Sequence, residues 1–340
     1  MKKNQAAAAQ DQAKLIRSCQ KKTTIGGQAL IEGLMMIGPT KKAMAVRKAD
    51  GSIHLEQLPM TKFTGAANMP FIRGSVRMFR QLVSGTGALM KSAEFVEEET
   101  DAADETGEGE EKPVKKPKSK FDLFLEKHSN ILLYVSATLG ILFSVVLFIL
   151  LPNFITSFIQ DLTGLNRLKS AGDTILLSLI EGVIRIGLFV GYLALASKMK
   201  DIKRVWMYHG AEHKAIACYE AQKELTVDNV RSFSRFHPRC GTAFMFVVII
   251  VSIIVFAFVG WWGRWINLLI RFALVPLVAG IAYEIIRLAG RFDNKFTRVI
   301  TAPGLWLQRL TTAEPDDSML EVSIAALTAV LPEEPQSDAW

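Results

Sequence analysis

The chain has 340 residues, half of them hydrophobic and 21% charged, with three cysteines and a formal charge of +7. That apolar content excludes a disordered chain, and three cysteines exclude a disulfide scaffold. The apolar residues gather in a few long runs, which argues against an ordinary soluble enzyme. The charge sum alone does not point to nucleic acid; its distribution along the chain decides that.

Residues 1–22 are polar, Lys-, Ala- and Gln-rich, and read as a disordered N-terminus; no cleavable signal peptide is expected there. Residues 23–62 read as a small glycine-rich β element. Ala43–Lys48 and Ile53–Leu58 are short β-compatible runs, and Asp50-Gly51 between them suits a hairpin turn. Gly26, Gly27, Gly33 and Gly38 lie in an apolar context with Gln28 and Glu32, and they match no phosphate-loop pattern. Residues 63–93 hold a helix that opens at Pro70. Ile72, Val76, Phe79 and Val83 share one stripe, with Arg73, Arg77 and Arg80 on a neighbouring one. Two readings stand: a helix lying in the membrane surface, or one packed on the protein's own soluble part. Residues 94–111 carry ten acidic side chains and 112–120 carry five lysines, so 94–128 reads as a disordered acidic-then-basic linker.

Residues 129–290 read as a membrane domain. A span needs about 20 apolar residues. Four stretches qualify: 131–151, 174–197, 243–262 and 266–289. Trp261, Trp262 and Trp265 cluster where the last two meet, as aromatics do at a membrane interface. Lys and Arg number 21 before the first span, two between the first and second, nine in residues 198–239, one (Arg264) between the third and fourth, and four after Ala289. The positive-inside rule then places both termini and the loop 198–242 in the cytoplasm. This topology accounts for the basic charge, and no nucleic-acid surface is expected. Residues 291–340 read as cytoplasmic C-terminal helices and tail. A helix start at Pro315-Asp316-Asp317 precedes an apolar stretch that docks on something, the chain itself included.

The cytoplasmic loop carries the sharpest chemical signal. His209-Gly210-Ala211-Glu212-His213 is an H-x-x-E-H pattern. At about 100° per residue the two histidines share one helical face, where two imidazoles can reach one metal ion. Glu212 beside them suits a general base. Cys218 projects from the opposite side and is excluded as a ligand. His237-Pro238-Arg239-Cys240 follows, and either His237 or Cys240 can supply a third ligand. A divalent metal, zinc above all, is the expected cofactor. The bland alternative is a pair of histidines that hydrogen-bond to neighbours or lipid. Glu181 and Arg185 (i, i+4) and Glu284 and Arg287 (i, i+3) stand at membrane depth. They read first as pairs locking the helices, and second as function, with Glu284 beside the metal.

These residues also carry a resemblance. Gly26-Gly27-Gln28-Ala29-Leu30-Ile31-Glu32-Gly33-Leu34-Met35-Met36 resembles the opening of the bacterial YqhQ-like membrane protein family, whose function is unknown. Tyr208–Lys214 resembles its central motif, and His237-Pro238-Arg239-Cys240-Gly241-Thr242 its third. Thr311-Thr312 and Glu314-Pro315-Asp316-Asp317 resemble its C-terminal signature. The resemblance covers about residues 23–331. The linker at 94–120 and the N-terminal extension depart from it without touching a motif. It implies a bacterial cytoplasmic-membrane protein of this topology, with motif residues at Gln28, Glu32, His209, Glu212, His213, His237, Arg239 and Cys240. The family's label of metal-dependent enzyme rests on the same histidines.

The expected fold is therefore an α-helical multi-pass membrane protein of about four spans with a small cytoplasmic β-containing N-terminal element. The first functional reading is a metal-dependent hydrolase-like enzyme at the cytoplasmic face: His209, His213 and His237 or Cys240 as ligands, Glu212 as base, and Gln28 and Glu32 completing the site if the glycine-rich segment folds over it. The rival is a non-catalytic partner or quality-control factor of another membrane complex, with a purely structural His/Cys cluster. Expected partners are the lipid bilayer and a membrane protein or a second copy of the chain. Transport through the intramembrane pairs is a third reading, weakened by the small number of spans.

Overall fold

The glycine-rich segment and the run after it form a four-stranded antiparallel sheet in a computed structural model that describes residues 22–60, 65–105, 129–164, 171–259, 264–292, 294–333 and 338. The strands are β1 (Gly26–Leu30), β2 (Gly33–Ile37), β3 (Lys42–Arg47) and β4 (Ile53–Gln57), paired in chain order. Gly26 faces Ile37, Gly33 faces Val46, and Ala43 faces Gln57. The expected hairpin at Asp50-Gly51 is present, with Gly51 at φ +84. The turn from β1 to β2 instead holds Glu32 at φ +49.

The chain divides into two compact units: residues 1–96, 190–251 and 275–340, and residues 97–189 and 252–274. In the first unit the sheet is covered on both faces, which explains why β2 is apolar throughout rather than alternating. Leu34, Met36, Ala43 and Ala45 pack on helix α5 (Lys200–Glu220) and helix α10 (Asp317–Thr328) through Tyr208, Ala211, Met319, Leu320 and Leu327. Met35, Met44 and Val46, one residue out of phase, face the other way and pack on Ala88 of helix α1 (Ile72–Glu105). The C-terminal stretch thus docks on the chain itself. Asp316 caps α10 by accepting the Met319 N–H at 3.0 Å, as the Pro-Asp-Asp signal predicts.

Helix α1 differs from expectation at its end. It runs past residue 93 to Glu105, into the segment read as linker. Phe95 accounts for part of this: its ring lies 4.5 Å from that of His54 and packs against the lower sheet core. The rest of the linker, 106–128, and the N-terminal residues 1–21 lie outside the described residues.

The remaining helices are α2 (Ser129–Val145), α3 (Leu151–Thr163), α4 (Ala171–Ala196), α6 (Val227–Arg231), α7 (Gly241–Val259), α8 (Arg264–Arg291) and α9 (Lys295–Thr311). Among the described residues, three stretches are long and apolar enough to cross a membrane: Thr138–Thr163, Gly172–Ala196 and Trp265–Ala289. A single π turn at Val146–Leu150 joins α2 to α3 into one helix, so the first runs on to Thr163, past the expected end at residue 151. The third expected span corresponds to α7, whose described apolar part is Phe244–Val259; residues 260–263, Trp261 and Trp262 among them, lie outside the described residues.

In the second unit, Pro152 explains a local irregularity. Proline has no N–H, so it cannot bond the carbonyl four residues back, that of Phe148. Arg185 Nε donates to that carbonyl at 3.1 Å. Its other nitrogens reach Ser252 Oγ at 2.8 Å and Glu181 at 2.6 Å. Arg271 also donates to Glu181, and both guanidiniums flank the Phe256 ring, at 5.5 and 5.2 Å. The expected Glu181–Arg185 pair is therefore part of a triad.

Candidate metal centre

Helix α5 carries His209 and His213 one turn apart, with ring centroids separated by 4.4 Å. The neighbouring segments fix both rings through their Nδ1 atoms. His209 Nδ1 lies 2.7 Å from the Thr311 carbonyl, and His213 Nδ1 lies 2.6 Å from that of Arg235. A carbonyl can only accept, so each Nδ1 carries a proton, and Nε2 is the nitrogen each ring turns toward its partner and could offer a metal once free of a proton. His209 Nε2 lies 3.2 Å from Cys240 Sγ. The ligand atoms of His209, His213 and Cys240 all lie within 4.8 Å of one another. Thr242 holds the sulfur from the far side, by its hydroxyl at 2.9 Å and its N–H at 3.4 Å.

The electrostatics suit that grouping. Burial alone would raise the Cys240 thiol, but the facing His213 and His209 imidazoles outweigh it and hold the thiol well below its ordinary range. Burial would lower His209, yet Cys240 and Glu212 carry it up to about 9. Glu212 is raised by burial against the pull of both histidines, and it accepts the Gly27 N–H. Gly27 is required here. A Cβ at this position would lie 2.7 Å from the Met35 carbonyl oxygen and 3.1 Å from the Glu212 carboxyl carbon. The glycine-rich strand therefore does fold over the histidine helix, through Gly27.

The other sequence candidates stand elsewhere. Alternation along β1 turns Gln28 away from α5 and toward α1, where its Oε1 accepts from Gln81 at 3.1 Å. Glu32 sits in the β1–β2 turn, bound by Arg204 and by the Tyr208 hydroxyl at 3.3 Å. His237 is buried beside the cluster, its ring 5.7 Å from that of His213, but its Nε2 faces Glu220 at 3.2 Å. Gln308 clamps the His237 backbone at both N–H and C=O, at 2.9 and 2.8 Å. Arg239 also donates to Glu220, which accepts the Thr23 N–H at 2.9 Å as well. Of the two candidates for third ligand, the geometry brings in Cys240. Glu284 is taken by Arg73 at 2.7 and 2.5 Å, with Arg287 4.0 Å away. Cys218 points to the carbonyls of Lys223 and Glu224, and burial pushes its thiol up to about 11.

The donor set fits a divalent metal, and zinc in particular. Two imidazoles and a thiol that favours its anion converge, with both outer imidazole nitrogens held by backbone carbonyls. Four contributors carried no role in the sequence reading: the carbonyls of Thr311 and Arg235, the Thr242 side chain and the Gly27 N–H. Thr242 and Thr311 stand inside motif segments, but a carbonyl leaves no trace in residue type.

A family model described as "Protein of unknown function (DUF1385)" matches residues 69–333. The "Uncharacterized protein YqhQ" of Bacillus subtilis (strain 168) is 36% identical over 314 residues, covering 90% of this chain and 92% of that protein. No solved structure matches.

Proposed function

This chain belongs to the DUF1385 family of proteins of unknown function, and we propose that it is a four-span bacterial cytoplasmic-membrane protein holding a divalent metal, zinc, at His209, His213 and Cys240. Both termini and segment 198–242 face the cytoplasm in this reading, from the distribution of Lys and Arg. One observation carries the metal assignment: three ligand atoms lie within 4.8 Å of one another, with the outer nitrogen of each imidazole already committed to a carbonyl. The reading goes on to a hydrolase-like activity on a lipid headgroup or membrane protein segment.

A divalent cation bound there supplies Lewis acidity for hydrolysis. The chain's own residues do the rest. Glu212 has a carboxyl raised by burial, so it is a stronger base than an ordinary glutamate, and the Gly27 N–H orients it. Thr311 and Arg235 fix the tautomers of His209 and His213, and Thr242 steadies the Cys240 sulfur.

The second reading is a structural centre in a protein that binds another membrane complex. Burial favours it: Glu212, His213 and Cys240 are each less than a tenth exposed. The discriminating experiment incubates zinc-loaded protein and its Glu212→Gln variant with membrane lipid extract and, separately, with solubilised membrane proteins, reading products by mass spectrometry. The enzyme reading expects products from wild type, none from the variant, and equal metal in both. Equal product from both overturns Glu212 as base. Metal without products in either assigns the centre to structure.

A further inference from the structure

Helix α1 is tied at two places to different parts of the first unit. Past its middle it supports the sheet: Ser92 Oγ accepts the Ile31 N–H at 3.2 Å, and Lys91 pairs with Glu56 at 2.6 Å. At its near end it packs on α8, the helix whose stretch Trp265–Ala289 is long and apolar enough to cross a membrane.

The position of that second contact matters. Pro276 stands near the middle of Trp265–Ala289, about 20 Å from Ala289 at a rise of about 1.5 Å per residue. Ser75 Oγ of α1 donates to the Pro276 carbonyl. A Cβ on Gly74 would lie 3.0 Å from Gly280 Cα and 2.6 Å from Tyr283 Cβ, and one on Gly280 would lie 2.2 Å from the Phe71 carbonyl oxygen. Two glycines thus let the backbones touch, as at helix crossings inside membranes. The arginines on this side are engaged: Arg73 with Glu284, Arg77 with the Tyr283 hydroxyl. Pairing of this kind lowers the cost of charge at depth.

Around the same turns the described residues leave an apolar strip exposed, with Arg80 exposed beside it. Phe71, Phe79, Leu82 and Val83 are each more than half exposed. On α8, Leu277 and Leu288 are exposed as well. A patch of this size facing water would be a liability.

We infer that α1 is a re-entrant membrane helix. Its first turn lies near the bilayer midplane, its Phe71–Val83 face is covered by lipid acyl chains of the leaflet on the Ala289 side, and it emerges toward the sheet near Gly85. It is neither a helix lying flat on the surface nor one packed wholly on the soluble part. The inference rests on the reading of α8 as a span. It also gives the candidate centre a rigid link to the bilayer, because Gly85 of α1 abuts Gln28, the neighbour of Gly27 on β1.

The test is site-directed spin labelling of the full-length protein in phosphatidylethanolamine–phosphatidylglycerol vesicles. Single cysteines replace Ile72, Phe79, Val83 and Leu89 in a Cys19→Ser background, with Cys218 and Cys240 left buried. Asp50→Cys at the hairpin serves as the aqueous reference and Leu277→Cys as the span reference. Collision with oxygen and with a nickel chelate gives the depth of each label. The expected result is a gradient, deepest at 72 and shallower through 79 and 83 to 89, over as much as ~16 Å between 72 and 83. Equal depth at 72, 79 and 83 overturns the inference in favour of a surface helix. Nickel access at all of them overturns it in favour of packing on the soluble part. Nickel access at 277 instead removes the span reading of α8, a separate failure. In Gly74→Leu the 72 and 79 labels should lose their depth while the protein's zinc content stays unchanged.

Discussion

Two regions of this molecule bury charged or polar groups, and they do so with opposite chemistry. The triad Glu181–Arg185–Arg271 is built from N–H donors around one carboxylate, with Ser252 and the Phe148 carbonyl absorbing further donors. Guanidiniums offer no lone pairs, so nothing in that triad but Glu181 could ligate a cation. The cluster His209–His213–Cys240 is arranged the other way. Its Nδ1–H groups are turned outward to carbonyls, and the His209 Nε2 and the Cys240 sulfur face each other inside. The difference teaches that burial and charge alone do not mark a metal site. What marks it is where the protons are held.

The comparison can be broken from either side. The largest effect is expected at the triad. Glu181→Ala leaves two buried guanidiniums without their carboxylate and should cost about 3–5 kcal/mol, read by unfolding of the detergent-solubilised protein. A loss below about 1 kcal/mol would place the triad with exposed ion pairs and undo the contrast. Gly27→Ala is next. The new methyl meets the Met35 carbonyl and the Glu212 carboxyl, so about 1–3 kcal/mol should be lost while zinc content is retained. Loss of zinc in that variant would make the strand part of the ligand cage.

The smallest effect lies away from both regions, at the start of α10. Burial would raise the Asp316 carboxyl, but the Ser318 hydroxyl and the Met319 N–H hold it below the ordinary aspartate range. Its folded value is depressed, so its contribution is present above about pH 4 and lost as the pH falls through the folded value. Asp316→Ala should therefore cost about 1 kcal/mol at pH 7 and progressively less in acid, read as the gap between unfolding curves at each pH. A gap independent of pH would contradict the capping role.

Much of this was legible in residue patterns. The H-x-x-E-H spacing on a helix, the cysteine near it, the hairpin at Asp50-Gly51 and the cap at Asp316 all follow from local rules. Other features were hidden for specific reasons. His237 and Cys240 are three residues apart, and only the turn before α7 decides which sulfur or nitrogen meets the histidines. Glu220, seventeen residues before His237, takes that ring instead. Gln28 and Gly27 are adjacent, and the strand's alternation sends them to opposite faces. Helix α1 extends past its expected end because Phe95 finds a partner in His54, forty-one residues away in the chain.

The most direct test of the central claim is the metal content of the purified full-length protein, measured by elemental mass spectrometry beside a His209→Ala/His213→Ala variant. The account predicts about one equivalent of zinc or another divalent transition metal per chain in the wild type, and its loss in the variant. No metal in either protein, even after reconstitution with zinc, would contradict it and leave the two imidazoles as hydrogen-bonded packing against Thr311, Arg235 and Cys240.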